Sequence, residues 1–208
     1  MKSHSAARGV PCGAEADPRL RFGETAIQNE VACALALLRQ PVSVACILGL
    51  ALALSVVAFL RFGWTPQLWG LVPLLIALAV TIVLDLRAKT IPDVVTLPGI
   101  VYALALAAVV ESPPLREAVL GALTGGGVLL LLAVVSRGAV GGGDIKLMAM
   151  LGAALGWRGA LVVLAFSQVA AALVALGLLI ARRAGRRDPL PVGAVISLLG
   201  AVMLLGGS

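Results

Sequence analysis

The sequence predicts an all-α, polytopic membrane bundle of six to eight transmembrane helices. Of its 208 residues, 61% are hydrophobic and only 12% are charged, and the mean hydropathy is +1.08. Soluble domains carry about 25% charged residues. Val42–Leu60 and Gln67–Leu84 contain no charged residue over 19 and 18 positions, lengths that match the hydrocarbon core of a bilayer. These runs exclude a soluble protein with a large core.

Seven apolar segments follow one another along the chain, and they cover 42–60, 67–84, 94–110, 118–135, 145–156, 159–181 and 190–206. The fifth has 12 residues, fewer than the roughly 20 that a crossing helix needs. It is expected to be tilted, to continue into its neighbour, or to be shielded inside the bundle. The 24 glycines are typical of membrane helices that pack closely.

Residues 1–40 differ from the rest because they contain no apolar run long enough to cross a membrane. They are expected to be a cytoplasmic segment, either poorly ordered or forming a surface helix over 27–38. A misassigned start codon would also add such a segment. A cleavable signal peptide is not expected, because the first long apolar run begins only near residue 42. Residues 41–208 form the predicted membrane domain.

The basic residues indicate an orientation. If the N-terminus is cytoplasmic and all seven segments cross, 13 of the 16 lysines and arginines lie on the cytoplasmic side, and only Arg61, Arg116 and Arg158 lie outside. The positive-inside rule favours this topology. The net charge of +6 is therefore a topology signal, with contact to membrane lipid as a secondary effect, and no nucleic-acid partner is expected. Asp85 and Asp144 then share the cytoplasmic face.

Asp85 ends the second apolar segment, and Ile91-Pro92-Asp93 follows a few residues later. A carboxylate beside hydrocarbon is costly, so one that is present is a functional candidate. Another interpretation is an interfacial carboxylate paired with Arg87 or Lys89. Pro92 fits the first turn of the next helix. Asp93 falls in that turn as well, where the helix dipole favours a carboxylate, so it also fits the role of a simple helix-start residue.

Asp144 follows three consecutive glycines and precedes an apolar run. Gly141 and Gly143 permit backbone conformations closed to other residues and let another chain approach closely. The alternative is a flexible loop with Asp144 as an ordinary N-cap. Lys146 either steers acidic groups of a substrate or marks topology. A phosphate-binding loop is not expected, because G-x-x-x-x-G-K-[ST] and a preceding strand are both missing from the sequence.

The two aspartates together suggest paired acid/base chemistry at a membrane surface. Two carboxyl groups that share a site do not both ionise easily. One can keep its proton and act on a carbonyl oxygen while the other acts as general base on a water molecule. Such a site needs no metal and no cofactor, and neither is expected.

The cysteine and histidine content fits this interpretation. Cys12, Cys33 and Cys46 form no CxxC pair, so no zinc site or disulfide framework is expected. Cys46 lies inside an apolar run and is expected to be a small core residue. His4 is the only histidine, which argues against a histidine-based nucleophile triad.

Over roughly residues 65–208 the sequence resembles the type IV prepilin peptidases, polytopic aspartic proteases of the GxGD class. The residues that carry the resemblance are Asp85, Ile91-Pro92-Asp93, Thr96 and Pro98, then Gly141, Gly143, Asp144 and Lys146, then Leu155-Gly156-Trp157. Pro189-Leu190-Pro191-Val192-Gly193 is similar to the proline–glycine entry into the family's last helix. The family often has phenylalanine where Val192 stands and proline where Ala194 stands, and this third match is weaker for that reason.

The resemblance implies that Asp85 and Asp144 are the catalytic pair and that Asp93 is auxiliary. It implies prepilins or pseudopilins as substrates, cut at the cytoplasmic face of the bacterial inner membrane just before their apolar helix. Larger family members carry paired CxxC motifs linked to N-methylation of the cleaved pilin. The chain looks like the short, peptidase-only form similar to those of Tad/Flp pili, and methyltransferase activity is not expected.

Three other interpretations remain open. A different GxGD protease, cutting within a helix, would share the aspartates without needing Ile91-Pro92-Asp93. A small transporter would use Asp85 and Asp144 as proton or cation ligands, and an inactive secretion-machine subunit would use neither.

Overall fold

A computed structural model describes residues 40–88, 91–136, 140–180 and 192–206. Within these ranges the chain forms six helices and no strand, which confirms the all-α prediction. They are α1 (Pro41–Phe62), α2 (Pro66–Ala88), α3 (Asp93–Val110), α4 (Leu115–Val135), α5 (Gly142–Ile180) and α6 (Val192–Gly206). Apart from Gln40, the predicted segment 1–40 lies outside the described residues, as do Lys89 and the basic stretch at 181–189.

Five of these helices, α1 to α5, are long and apolar enough to cross a membrane, and α6 is a shorter apolar helix. A polytopic membrane bundle is therefore confirmed. The predicted fifth and sixth segments both lie in α5, which consists of two helical parts separated by a break at Gly156, where φ is 72° and ψ is 177°. This left-handed backbone favours glycine because the residue has no Cβ. The short fifth segment thus ends at this break, and its neighbour follows directly in the chain.

The core of the bundle lies between α2, the first part of α5, and α6. Leu75 and Leu78 of α2, Met148 and Leu151 of α5, and Ile196 of α6 are almost fully buried. Helix α1 packs mainly on α2, and much of its surface faces outward. The prediction that Cys46 is a core residue was wrong: its side chain is exposed, because it lies on the outward face of this peripheral helix.

Helices α4 and α5 approach closely through small residues. A Cβ atom added to Gly121 would overlap the carbonyl oxygen of Gly152, and one on Gly125 would lie 2.6 Å from the carbonyl oxygen of Met148. These contacts show that the two helices are antiparallel, because residue numbers increase along α4 where those of the contacting residues in α5 decrease. Small residues that let backbones meet are a common means of packing in membranes.

The two ends of the bundle differ. Phe59, Trp64 and Trp69 cluster where α1 passes into α2, with successive ring centroids 5.7 and 5.8 Å apart. Aromatic rings of this kind are enriched at membrane–water interfaces. Asp85 lies near the other end of α2, about 24 Å away at 1.5 Å per residue. The acidic motif residues are therefore gathered at the end of the bundle opposite the aromatic cluster.

Candidate active site

Asp85 lies in the last turn of α2 and is almost completely buried, with 4% of its surface exposed. Its Oδ2 atom accepts a hydrogen bond of 2.6 Å from the backbone N–H of Ala194. Ala194 is in the first turn of α6, 109 residues further along the chain. Asp85 is thus held by an element that does not contain any of the predicted site residues.

Asp144 lies in the first turn of α5, which begins at Gly142. It is therefore inside the helix rather than at the N-cap position considered from sequence. Its side chain is partly exposed. A carboxylate in the first turn is favoured by the helix dipole. Gly141 lies beside it, since a Cβ at that position would be 3.5 Å from Asp144 Oδ2.

The structure brings the two aspartates together at Gly193. A Cβ atom built on this glycine would lie 3.1 Å from Asp144 Oδ1 and 3.2 Å from Asp85 Cγ. Both carboxyl groups therefore meet the same point of the α6 backbone, although 59 residues separate them in sequence. The glycine leaves the space that the pair occupies.

Ile91 packs between the two glycines that border the aspartates. A Cβ on Gly143 would lie 2.7 Å from Ile91 Cβ, and one on Gly193 would lie 2.5 Å from Ile91 Cδ1. Ile91 is buried, with 7% of its surface exposed. Pro92 occupies the N-cap position of α3, one residue earlier than expected. Ile91 thus lies between the start of α5 and the start of α6 and acts as a spacer between the two helices.

Asp93 and Lys146 form an ion pair through Oδ2 and Nζ. Asp93 is in the first turn of α3, so the pair ties the start of α3 to the start of α5. The side chains are 23% and 38% exposed, respectively, and the pair lies at the edge of the site rather than between the catalytic candidates. The partner of Lys146 was not predicted from sequence.

Arg87, two residues after Asp85, contacts α1. Its Nη1 donates hydrogen bonds to Ser43 Oγ at 2.9 Å and to Gln40 Oε1 at 3.4 Å. The arginine therefore joins the ends of α1 and α2 close to the site.

No group of three or more histidine, cysteine, aspartate or glutamate side chains within the described ranges could hold a metal ion. A cavity lies at the opposite end of the bundle, lined among others by Leu71, Leu106, Pro113 and Arg158. None of the predicted site residues lines it.

Comparison with known proteins bears directly on this arrangement. Residues 72–176, half of the chain, match the sequence profile of the Type IV leader peptidase family. The chain belongs to this family. The matched region contains Asp85, Asp93, Asp144 and Lys146, and ends before α6. The resemblance stated from the sequence motifs is confirmed.

Individual members of the type IV leader peptidase family are similar to two thirds or more of this chain. Two proteins named prepilin leader peptidase/N-methyltransferase, from Aeromonas salmonicida (strain A449) and Aeromonas hydrophila, are 34% and 32% identical over 147 and 161 residues. These alignments cover 67% and 75% of this chain, and 50% and 55% of the relatives. The chain thus spans about half the length of the curated relatives it matches. No solved structure matches.

Sequence reasoning missed two positions, Gly193 and Ala194. The only signal for them in the sequence was the proline–glycine entry into the last apolar run. This entry is part of the family resemblance, but the resemblance assigned no role to it. Their contacts with Asp85 and Asp144 are made across the bundle, and helical periodicity carries no information about which distant side chain meets a backbone amide.

Proposed function

We propose that this chain is a membrane aspartic endopeptidase that removes the leader peptide of prepilins or pseudopilins. The observation that carries the proposal is the convergence of Asp85 and Asp144 on Gly193. The substrate class is supported by family membership and by relatives whose names include prepilin leader peptidase. Both carboxyl groups lie within the aligned part of the chain.

In the proposed mechanism one carboxyl group is protonated and the other is ionised. The ionised group takes a proton from a water molecule, whose oxygen attacks the scissile carbonyl carbon. The protonated group donates its proton to the carbonyl oxygen, giving a neutral tetrahedral intermediate. That intermediate collapses as its C–N bond breaks: the leaving nitrogen receives the proton that the first group took from water, and a hydroxyl of the intermediate returns its proton to the other group, which restores the pair. Because the two groups titrate together, the acid and base roles are assigned to the pair and not to either aspartate alone.

The site geometry suits a substrate that enters from the edge of the bundle. Asp144 is partly exposed whereas Asp85 is buried, so the open side of the pair is at the start of α5. Gly141 and Gly142 are exposed there, and residues without side chains let an extended peptide come close to Asp144. A pilin leader that emerges from its membrane helix would reach the pair by this route.

The proposed orientation places this end of the bundle, and the N-terminus, on the cytoplasmic side of the bacterial inner membrane. It rests on the distribution of basic residues in the sequence. Reporter fusions after Val110 and after Ser136 test it: the first is expected outside the cytoplasm and the second inside.

The function is tested by co-expression with a candidate prepilin in a bacterium without its own prepilin peptidase. Loss of the leader, seen as a gel shift, is expected for the wild-type protein and not for Asp85→Asn or Asp144→Asn. Glu111→Gln serves as a matched control, because this exposed acid lies at the other end of the bundle. Processing that survives both aspartate substitutions would contradict the proposal. Proton or cation flux in liposomes without cleavage would instead favour a transporter.

A further inference from the structure

The first turn of α6 touches both catalytic candidates. The N–H groups at the start of a helix have no acceptor within the helix, and the N–H of Ala194 is in this position. It donates to Asp85 Oδ2 at 2.6 Å in a buried environment. A carboxylate that accepts a backbone N–H at a helix start forms one of the stronger hydrogen bonds in proteins. The Asp85 carboxyl group thus accepts an N–H that has no partner within α6, and the same hydrogen bond fixes the orientation of Asp85.

Gly193 lies in the same turn, and because it has no side chain it leaves room for both carboxyl groups. A Cβ there would be 3.1 Å from Asp144 Oδ1 and 3.2 Å from Asp85 Cγ, closer than side chains normally pack. Any larger residue would have to move one or both carboxyl groups. Gly193 is buried, so a side chain there cannot turn away into solvent.

We infer that the first turn of α6 positions the catalytic pair: the Ala194 N–H holds Asp85, and Gly193 leaves the room in which Asp85 meets Asp144. The inference rests on the proposed peptidase function and deepens it. Gly193 and Ala194 are positioning residues, since they act through the aspartates and not on the substrate.

The hydrogen bond is tested with purified protein and a synthetic prepilin peptide. The test variant replaces Ala194 with lactic acid, its α-hydroxy analogue, by nonsense suppression. The ester removes the N–H without adding bulk, and alanine inserted by the same suppressor is its control. The ester variant is expected to have a kcat about tenfold below that of this control, the worth of one hydrogen bond to a charged group, with KM unchanged. A kcat of the ester variant within about twofold of its control would overturn the role of Ala194.

The space at Gly193 is tested in an Ile91→Val background, because Ile91 Cδ1 is the nearest atom to a Cβ at this position and valine lacks it. Adding Gly193→Ala to Ile91→Val is expected to lower kcat by at least about tenfold. Gly206→Ala in the same background is the matched control, since nothing lies within 4 Å of a Cβ there. Equal kcat values for the two would overturn the role of Gly193. Failure of the wild-type protein to cleave would instead contradict the proposed function.

Discussion

Lys146 and Asp93 form an ion pair that ties the start of α5 to the first turn of α3. Lys146 is two residues after Asp144, and Asp93 is two residues after Ile91, which packs on Gly143. The charged contact and the apolar contact therefore join the same two helix starts. Together they fix the position of the helix turn that carries Asp144 relative to the rest of the site.

The ion pair is expected to support cleavage without taking part in it. Asp93→Asn and Lys146→Met should each lower the rate of leader removal by about fivefold, because partly exposed pairs contribute on the order of 1 kcal/mol. The exchanged pair, Asp93→Lys with Lys146→Asp, should recover part of the rate. Steady-state cleavage of a prepilin peptide measures this. Complete loss of cleavage in Asp93→Asn would place Asp93 in the mechanism itself.

Gly143→Ala is expected to reduce activity strongly, whereas Gly142→Ala is expected to have little effect. A Cβ on Gly143 would lie 2.7 Å from Ile91 Cβ, which cannot move without its backbone, while nothing lies within 4 Å of a Cβ on Gly142. Overpacking of this kind costs about 1–3 kcal/mol, and the strain falls on the turn that carries Asp144. Cleavage rates of the two purified variants, at equal folded fraction, test this. Similar rates would contradict the role of Ile91 as a spacer between α5 and α6.

The contact between α4 and α5 allows a stability test away from the aspartates. Gly125→Ala should lower the free energy of unfolding by about 1–3 kcal/mol, because its Cβ would lie 2.6 Å from the backbone oxygen of Met148. Gly127→Ala is the matched control: nothing lies within 4 Å of its Cβ, and alanine favours the helix by about 1 kcal/mol. Thermal unfolding in detergent compares them. A Gly125→Ala protein as stable as Gly127→Ala would contradict this packing.

If the proposed function holds, a pilin processed by this chain is expected to have an unmethylated N-terminus, as in the peptidase-only form. The prediction rests on the three cysteines, which form no CxxC pair, the motif that the family resemblance links to N-methylation. Mass spectrometry of the mature pilin measures it, with pilin processed by the Aeromonas hydrophila relative, which is named as an N-methyltransferase, as reference. A methylated N-terminus would show the prediction to be wrong.

Much of the fold could be predicted because hydrocarbon imposes simple rules on a sequence. The charge-free run Gln67–Leu84 lies within α2, and 94–110 differs from α3 by a single residue. The geometry of the break between the fifth and sixth segments could not be predicted, because it depends on the left-handed backbone of Gly156. Glycine is compatible with that backbone but also with a regular helix, so the residue type alone does not decide.

The candidate site was predictable in part for a related reason. Asp85 and Asp144 stood out because carboxyl groups are rare next to apolar runs, and the order of the segments placed them at one end. The partners of those groups were not predictable. Ile91, Gly193 and Ala194 act through shape or through the backbone, and Lys146 could be assigned a partner only once α3 and α5 were seen side by side.

The most direct test of the central claim is a double-mutant cycle on the aspartates. Cleavage of a prepilin peptide is measured under single-turnover conditions for Asp85→Asn, Asp144→Asn and the double variant. If the two carboxyl groups act as one unit, each single substitution lowers the rate by at least about a thousandfold, and the double variant is no slower than the slower single one. Rate losses that multiply in the double variant, or a single variant that retains near wild-type cleavage, would contradict a catalytic pair.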